Sequence, residues 1–167
     1  MHTQRVLVAP GVDLAVDTWE PASARRDAVP FVLVHGLASN ARMWDGVACE
    51  LSDRGHLAVT VDLRGHGRSA KPDGPYDMAT VADDVGAVIR ALGLDRPVVA
   101  GQSWGGNVVL ELALRAPELV RGIVCVDGGG PDPRRGHAKN PSATWSSITS
   151  ASSTGCWAWM SWSPSIQ

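Results

Sequence analysis

Ser103 lies in Gly101-Gln102-Ser103-Trp104-Gly105-Gly106, a G-x-S-x-G pattern. A serine hydroxyl is a poor nucleophile near neutral pH until a base takes its proton, so any acyl-transfer chemistry here depends on what surrounds it. The pattern follows the apolar run Pro97-Val98-Val99-Ala100 and precedes Val108, Val109, Leu112, Ala113 and Ala116, which fall on one helical face and stop before Pro117. That context is strand, tight turn, helix. A side chain at the apex of such a turn sits on a strained backbone, and strand and helix pass so closely that only hydrogen fits at 101 and 105. The turn lifts Ser103 above the carboxyl edge of the sheet and aims the Trp104 amide, at a helix start, toward the same space. A second amide comes from His35-Gly36-Leu37, where Leu37 is the natural donor to a developing oxyanion. His35 itself reads as a buried residue bracing that loop rather than as the base.

The elements that must position these groups are legible as alternating strands and helices. Gln4–Val8 and Leu14–Trp19 read as a hairpin turned at Pro10-Gly11, and Phe31–Val34 as a strand covered on both faces. Met43–Ser52 reads as a short helix and Leu57–Val61 as another buried strand. Thr80 with Asp83 three residues on gives a capping signature for a helix carrying Val81, Val85, Val88, Ile89 and Leu92, closed by Gly93. Ile123–Val126 is the sixth strand. This alternation predicts an α/β fold, a mostly parallel sheet with helices on both faces.

With these residues in place the chain resembles the α/β-hydrolase superfamily in its serine-nucleophile branch, over residues 1–130. Three segments match in order: His35-Gly36-Leu37-Ala38-Ser39-Asn40, Asp62-Leu63-Arg64-Gly65-His66-Gly67-Arg68-Ser69, and the Gly101–Gly106 elbow. The resemblance implies attack by Ser103 on an ester or similar acyl bond, an acyl-enzyme, an oxyanion hole of the Leu37 and Trp104 amides, and no cofactor or metal. The middle segment shapes the structure around the site. Haloalkane dehalogenases and epoxide hydrolases of this superfamily carry Asp at the elbow, so Ser103 leaves esterase-, lactonase-, carbon–carbon-hydrolase- or cofactor-free haloperoxidase-like chemistry.

The family's triad runs nucleophile, acid, histidine along the chain. Here the resemblance implies only the N-terminal part of the fold, with the last strands missing. Asp127, at the end of the sixth strand, is a conceivable acid, but the favoured reading is a turn residue before Gly128-Gly129-Gly130. The one histidine downstream of Ser103 is His137, in a Pro-, Gly- and Arg-rich stretch with no element to anchor it. No base is found. The expectation is therefore a hydrolase by family that is inactive as this short chain, against the alternative of a non-catalytic small-molecule-binding remnant or pseudoenzyme.

Residues 131–167 form an atypical tail. All 32 charged side chains lie between Arg5 and Lys139, and from Asn140 onward the chain has four of the seven tryptophans and nine serines. No usable period appears there, which suggests a disordered or non-native segment such as a frameshift produces. Ending after the sixth strand would expose an apolar sheet edge and favour self-association.

Other classes are disfavoured. Fifteen Lys and Arg against 17 Asp and Glu give a net charge of −2, no footprint for nucleic acid or an anionic membrane. No apolar run approaches the ~18–20 residues that span a bilayer. Three scattered cysteines (Cys49, Cys125, Cys156) form neither a disulfide framework nor a zinc pattern, and the reading is a cytoplasmic chain. Gly65-His66-Gly67-Arg68-Ser69-Ala70 loosely fits a dinucleotide fingerprint, yet no helix starts close enough to hold a pyrophosphate. Asp83-Asp84 reads as a solvated pair on the first turn of a helix, and Arg134-Arg135 as surface.

Overall fold

The structure is a computed structural model that describes residues 1–128 in full and, beyond them, the backbone of two strands at 143–152 and 155–164. Strands β1 (His2–Ala9) and β2 (Val12–Trp19) form the expected hairpin, with Gly11 at φ 72° supplying the left-handed turn residue. Next come β3 (Phe31–Val34), a 3₁₀ turn at Ala41–Trp44, α1 (Asp45–Asp53), β4 (Ala58–Val61) and α2 (Met78–Ala91). Then follow β5 (Val98–Gln102), α3 (Trp104–Arg115), β6 (Gly122–Val126), β7 (Ala143–Ser152) and β8 (Gly155–Pro164).

The strands make one sheet in the order β1-β2-β4-β3-β5-β6-β8-β7. Its four central strands run parallel, with β3 between β4 and β5, while the flanking pairs are antiparallel. Alternation along each strand sorts side chains to two faces. Val32, Val34, Val59, Val61, Val99 and Ile123 pack beneath α2 and α3 in the larger core cluster. Leu33, Ala58 and Ala100 meet Trp44 and Ala48 of the α1 side on the other face. Helices on both faces of a sheet with a parallel centre are what the alternating sequence pattern predicts; the sheet as a whole is mixed, because the flanking strands pair antiparallel.

Two local expectations are corrected. Helix α2 begins at Met78, and its cap is Asp77, whose carboxylate accepts the Thr80 amide at 3.0 Å and the Thr80 hydroxyl at 2.7 Å. Thr80 thus serves the cap from inside the helix. Asp83 and Asp84 are not a solvated pair: Asp83 is exposed and meets Arg115, but Asp84 is buried against Arg64. Helical spacing puts neighbouring residues about 100° apart, so one of two adjacent acids can face the interior. Within the uncharged tail the described backbone is that of β7 and β8. Strand β8 pairs with β6 from Gly122↔Ser161 to Val126↔Trp157, and β7 is outermost on that side. An open edge of unpaired amides and carbonyls recruits extended chain whatever its side-chain period.

Candidate active site

Ser103 sits between the carboxyl end of β5 and the first residue of α3, with φ 51° and ψ −120°. A non-glycine residue at positive φ is held against its preference, and the surrounding bonds show how. Its amide donates to the Val126 carbonyl of β6 at 2.8 Å, and its carbonyl accepts the Gly106 amide at 2.9 Å. Glycines make the crossing possible. A Cβ on Gly101 would lie 2.7 Å from the Gly106 nitrogen, and one on Gly105 would lie 2.5 Å from the His35 carbonyl oxygen and 2.6 Å from that of Val34. Helix α3 thus rests directly on the ends of β5 and β3. The backbone at Gly128 is equally close, since a Cβ there would be 2.7 Å from the Ser103 Cα.

The loop after β3 lies against the elbow from the other side. A Cβ on Gly36 would approach the Ser103 Cβ to 3.2 Å and collide with the Gln102 side chain. His35 is fully buried, and its Nε2 accepts the Leu63 amide at 3.0 Å. Nδ1 therefore carries the proton and donates to the Gly36 carbonyl at 2.7 Å. That carbonyl shares one planar trans peptide with the Leu37 N–H, so fixing the oxygen toward His35 turns the Leu37 donor to the opposite side. Burial pushes the His35 pKa down, which keeps Nε2 available as an acceptor. His35 is a brace, as its sequence context suggests, and not a base.

The segment from Asp62 to Ser69 holds the far end of the same loop. Asp62 Oδ1 accepts the Ala41 amide at 2.7 Å, and Oδ2 accepts the Arg68 amide at 3.0 Å and its Nε at 2.8 Å. Burial alone would raise the Asp62 pKa, but those amides and the Arg68 guanidinium outweigh it and hold the carboxyl below the usual range. Arg68 also forks onto buried Asp17 at 3.0 and 2.6 Å, tying the bracket to β2. Ser69 Oγ accepts the Ala15 amide at 2.8 Å and donates to the Asp62 carbonyl. Residues 35 and 41, the two ends of the Leu37 loop, are therefore pinned by neighbouring residues 63 and 62.

Of the residues singled out from the sequence, Ser103, Trp104 and the Gly36–Leu37 peptide are brought together at the carboxyl edge of the sheet. The Leu37 side chain is itself exposed. Asp127 is exposed at φ 50°, directly after Val126, whose carbonyl receives the Ser103 amide. His137 lies outside the described residues. Among the described residues no histidine hydrogen-bonds the Ser103 hydroxyl, and no group of three or more His, Cys, Asp or Glu is placed to hold a metal ion. No helix among them is long and apolar enough to cross a membrane. Sequence reasoning missed the Arg64–Asp84 pair and the place of His66, whose ring lies between those of His35 and Trp104. A groove of about 460 Å³ lined by Glu20, Pro30, Leu57, Leu92 and Asp95 lies at the opposite, amino end of the strands and is separate from this site.

The elbow, the β3 loop and the doubly covered parallel sheet define an α/β-hydrolase fold, and the family model for that fold matches residues 29–151. The chain belongs to the α/β-hydrolase fold family. It is 36% identical over 127 residues to a non-heme chloroperoxidase of Streptomyces lividans, covering 75% of this chain and 45% of the relative. An esterase of Mycobacterium tuberculosis is 39% identical over 97 residues, covering 58% and 32% respectively. Among solved structures, Est816, described as an N-acyl homoserine lactone degrading enzyme, superimposes with a TM-score of 0.67 at 31% identity, over 77% of this chain and 49% of that one. The chain spans between 29% and 45% of the length of these and other curated relatives.

Proposed function

We propose that this chain carries the nucleophile and oxyanion half of a serine hydrolase acting on an ester or similar acyl bond. The observation that carries the reading is Ser103 held at positive φ between β5 and α3, beside the Gly36–Leu37 peptide. Where a histidine base is supplied, as in an intact relative, Ser103 Oγ would attack the carbonyl carbon while its proton passes to that histidine. The carbonyl oxygen becomes an oxyanion that accepts the Leu37 and Trp104 amides. Collapse breaks the bond to the leaving group, which takes the proton from the base, and water then releases the acyl group from Ser103. Asp127 follows β6 beside the elbow and is the candidate carboxylate for orienting that base. The esterase among the relatives supports an acyl substrate of ester type.

A second reading is favoured by one observation: among the described residues the Ser103 hydroxyl has no histidine partner. In that reading the same cleft binds a small molecule without turnover. Labelling with a fluorophosphonate followed by intact-mass analysis separates the two. The hydrolase reading expects one adduct on the wild-type chain and none on Ser103→Ala. A wild-type chain that stays unlabelled at millimolar probe, while Ser103→Ala binds an acyl ligand equally well, supports the binding reading instead.

A further inference from the structure

We infer that His66 is a positioning residue for the oxyanion site, holding the Trp104 amide and the Leu37 loop in fixed relation through three rings in series. This rests on the hydrolase reading of Ser103. The His66 ring centroid lies 6.4 Å from that of Trp104 with an interplanar angle of 29°, a stacked arrangement. On its other side it lies 5.0 Å from the His35 ring at 59°. Its Nδ1 meets the Arg64 carbonyl at 3.0 Å; a carbonyl only accepts, so Nδ1 carries the proton and the ring's orientation is fixed.

What those rings connect gives the arrangement its meaning. Trp104 is the first residue of α3 and follows Ser103 directly. His35 bonds the Gly36 carbonyl, and through that peptide plane it sets the direction of the Leu37 N–H. The two oxyanion donors come from different elements, α3 and the β3 loop. No described side-chain hydrogen bond joins Trp104 to that loop. Backbone packing already sets Gly105 of α3 against the Val34 and His35 carbonyls, and the ring series Trp104–His66–His35 adds a side-chain link across the same junction; offset or tilted aromatic contacts at these separations are favourable. Oxyanion stabilisation is steep in geometry, because donors help only when aimed where the charge develops. His66 itself is not required to touch substrate.

Three substitutions separate the ring from the hydrogen bond. His66→Phe keeps a ring between His35 and Trp104 and loses the donor to Arg64. His66→Asn keeps a donor and loses the ring, and His66→Ala loses both. The first readout is the fluorophosphonate labelling rate of Ser103. The second is the ¹⁵N order parameter of the Leu37 and Trp104 amides, with the Val99 amide as an internal reference. The expected result is that Ala and Asn slow labelling by about tenfold or more, short of the roughly hundred- to thousandfold that outright loss of an oxyanion donor costs, while Phe stays within about threefold of wild type. In Ala and Asn the Leu37 and Trp104 order parameters fall from the rigid value of about 0.85 toward 0.6, with Val99 unchanged.

A wild-type Asn variant beside a defective Phe variant would overturn the inference and assign His66 to its own turn alone. So would an Ala variant with unaltered order parameters at both donors. Should the wild-type chain fail to label at all, the hydrolase reading falls, and the order parameters still decide whether His66 holds the two amides together.

Discussion

Two adjacent acids on α2 offer a sharp energetic contrast. Asp84 and Arg64 are 3% and 4% exposed, and the guanidinium bonds the carboxylate through both Nε and Nη2, the latter at 2.6 Å. Asp84→Ala removes both charge-assisted bonds and leaves a buried cation whose remaining described partner is the Pro75 carbonyl at 2.9 Å. Breaking a buried pair by deleting one partner costs about 3–5 kcal/mol. Asp83 meets Arg115 at 2.8 Å, but the pair is 61% and 43% exposed. Such a surface pair contributes about 0–1 kcal/mol. Chains of this size lose roughly 2–4 °C of Tm per kcal/mol, so Asp84→Ala should lower Tm by roughly 6–20 °C and Asp83→Ala by at most about 4 °C. Urea denaturation is the assay, with the midpoint shifting at constant m. Replacing both Arg64 and Asp84 by Leu should recover part of the loss, since no unpaired charge then remains inside. If the two alanine variants differ by less than about 1 kcal/mol, the burial argument for this pair is wrong.

Three further outcomes follow from the site. Ser103→Gly relieves a residue held at φ 51° and should raise stability by about 1 kcal/mol while abolishing labelling; a loss of stability on urea titration would mean the turn is not strained. Gly105→Ala places a methyl 2.5 Å from the His35 carbonyl oxygen, so α3 must lift from β3. It should cost about 1–3 kcal/mol and slow labelling of Ser103, and a variant equal to wild type in both would contradict the close crossing. Stability should also fall with pH in two stages. His35 is held neutral with its pKa below the ordinary 6.5, so the unfolded chain binds its proton first as pH drops below about 6.5, and His35→Gln should flatten that limb. Asp17 and Asp62 keep depressed pKa values despite burial because Arg68 and neighbouring groups bond them. Their stabilisation is present above the ordinary carboxylate value of 3.8 and disappears as pH falls through the lower folded values. Arg68→Met should reduce that acid limb in equilibrium unfolding followed across pH.

Much of this molecule was readable from residue order because its signals are local. A serine between glycines after an apolar run, with a helical face behind it, specifies strand, elbow and helix within about twenty residues. The sheet's parallel character followed from strands alternating with helices, since parallel neighbours need long crossovers. Even the buried role of His35 was visible, because a histidine closing a covered strand has no route to solvent. Local patterns failed where two conformations share them. Asp77 and Thr80 both suit a helix start, and only the chain path showed that Asp77 is outside the helix and Thr80 inside.

What residue order could not supply is pairing across distance. Nothing along the chain says that Asp84 meets Arg64 twenty residues away, that Asp62 reaches both Ala41 and Arg68, or that His66 lies between His35 and Trp104. Those contacts arise only when β3, β4 and β5 lie side by side, bringing loops from three places in the chain to one edge of the sheet. A motif names the residues that must be close, because its spacing is set by one turn of backbone. Which distant groups hold that turn in place is decided by the packing of the sheet, where burial removes water and makes each partner's identity matter.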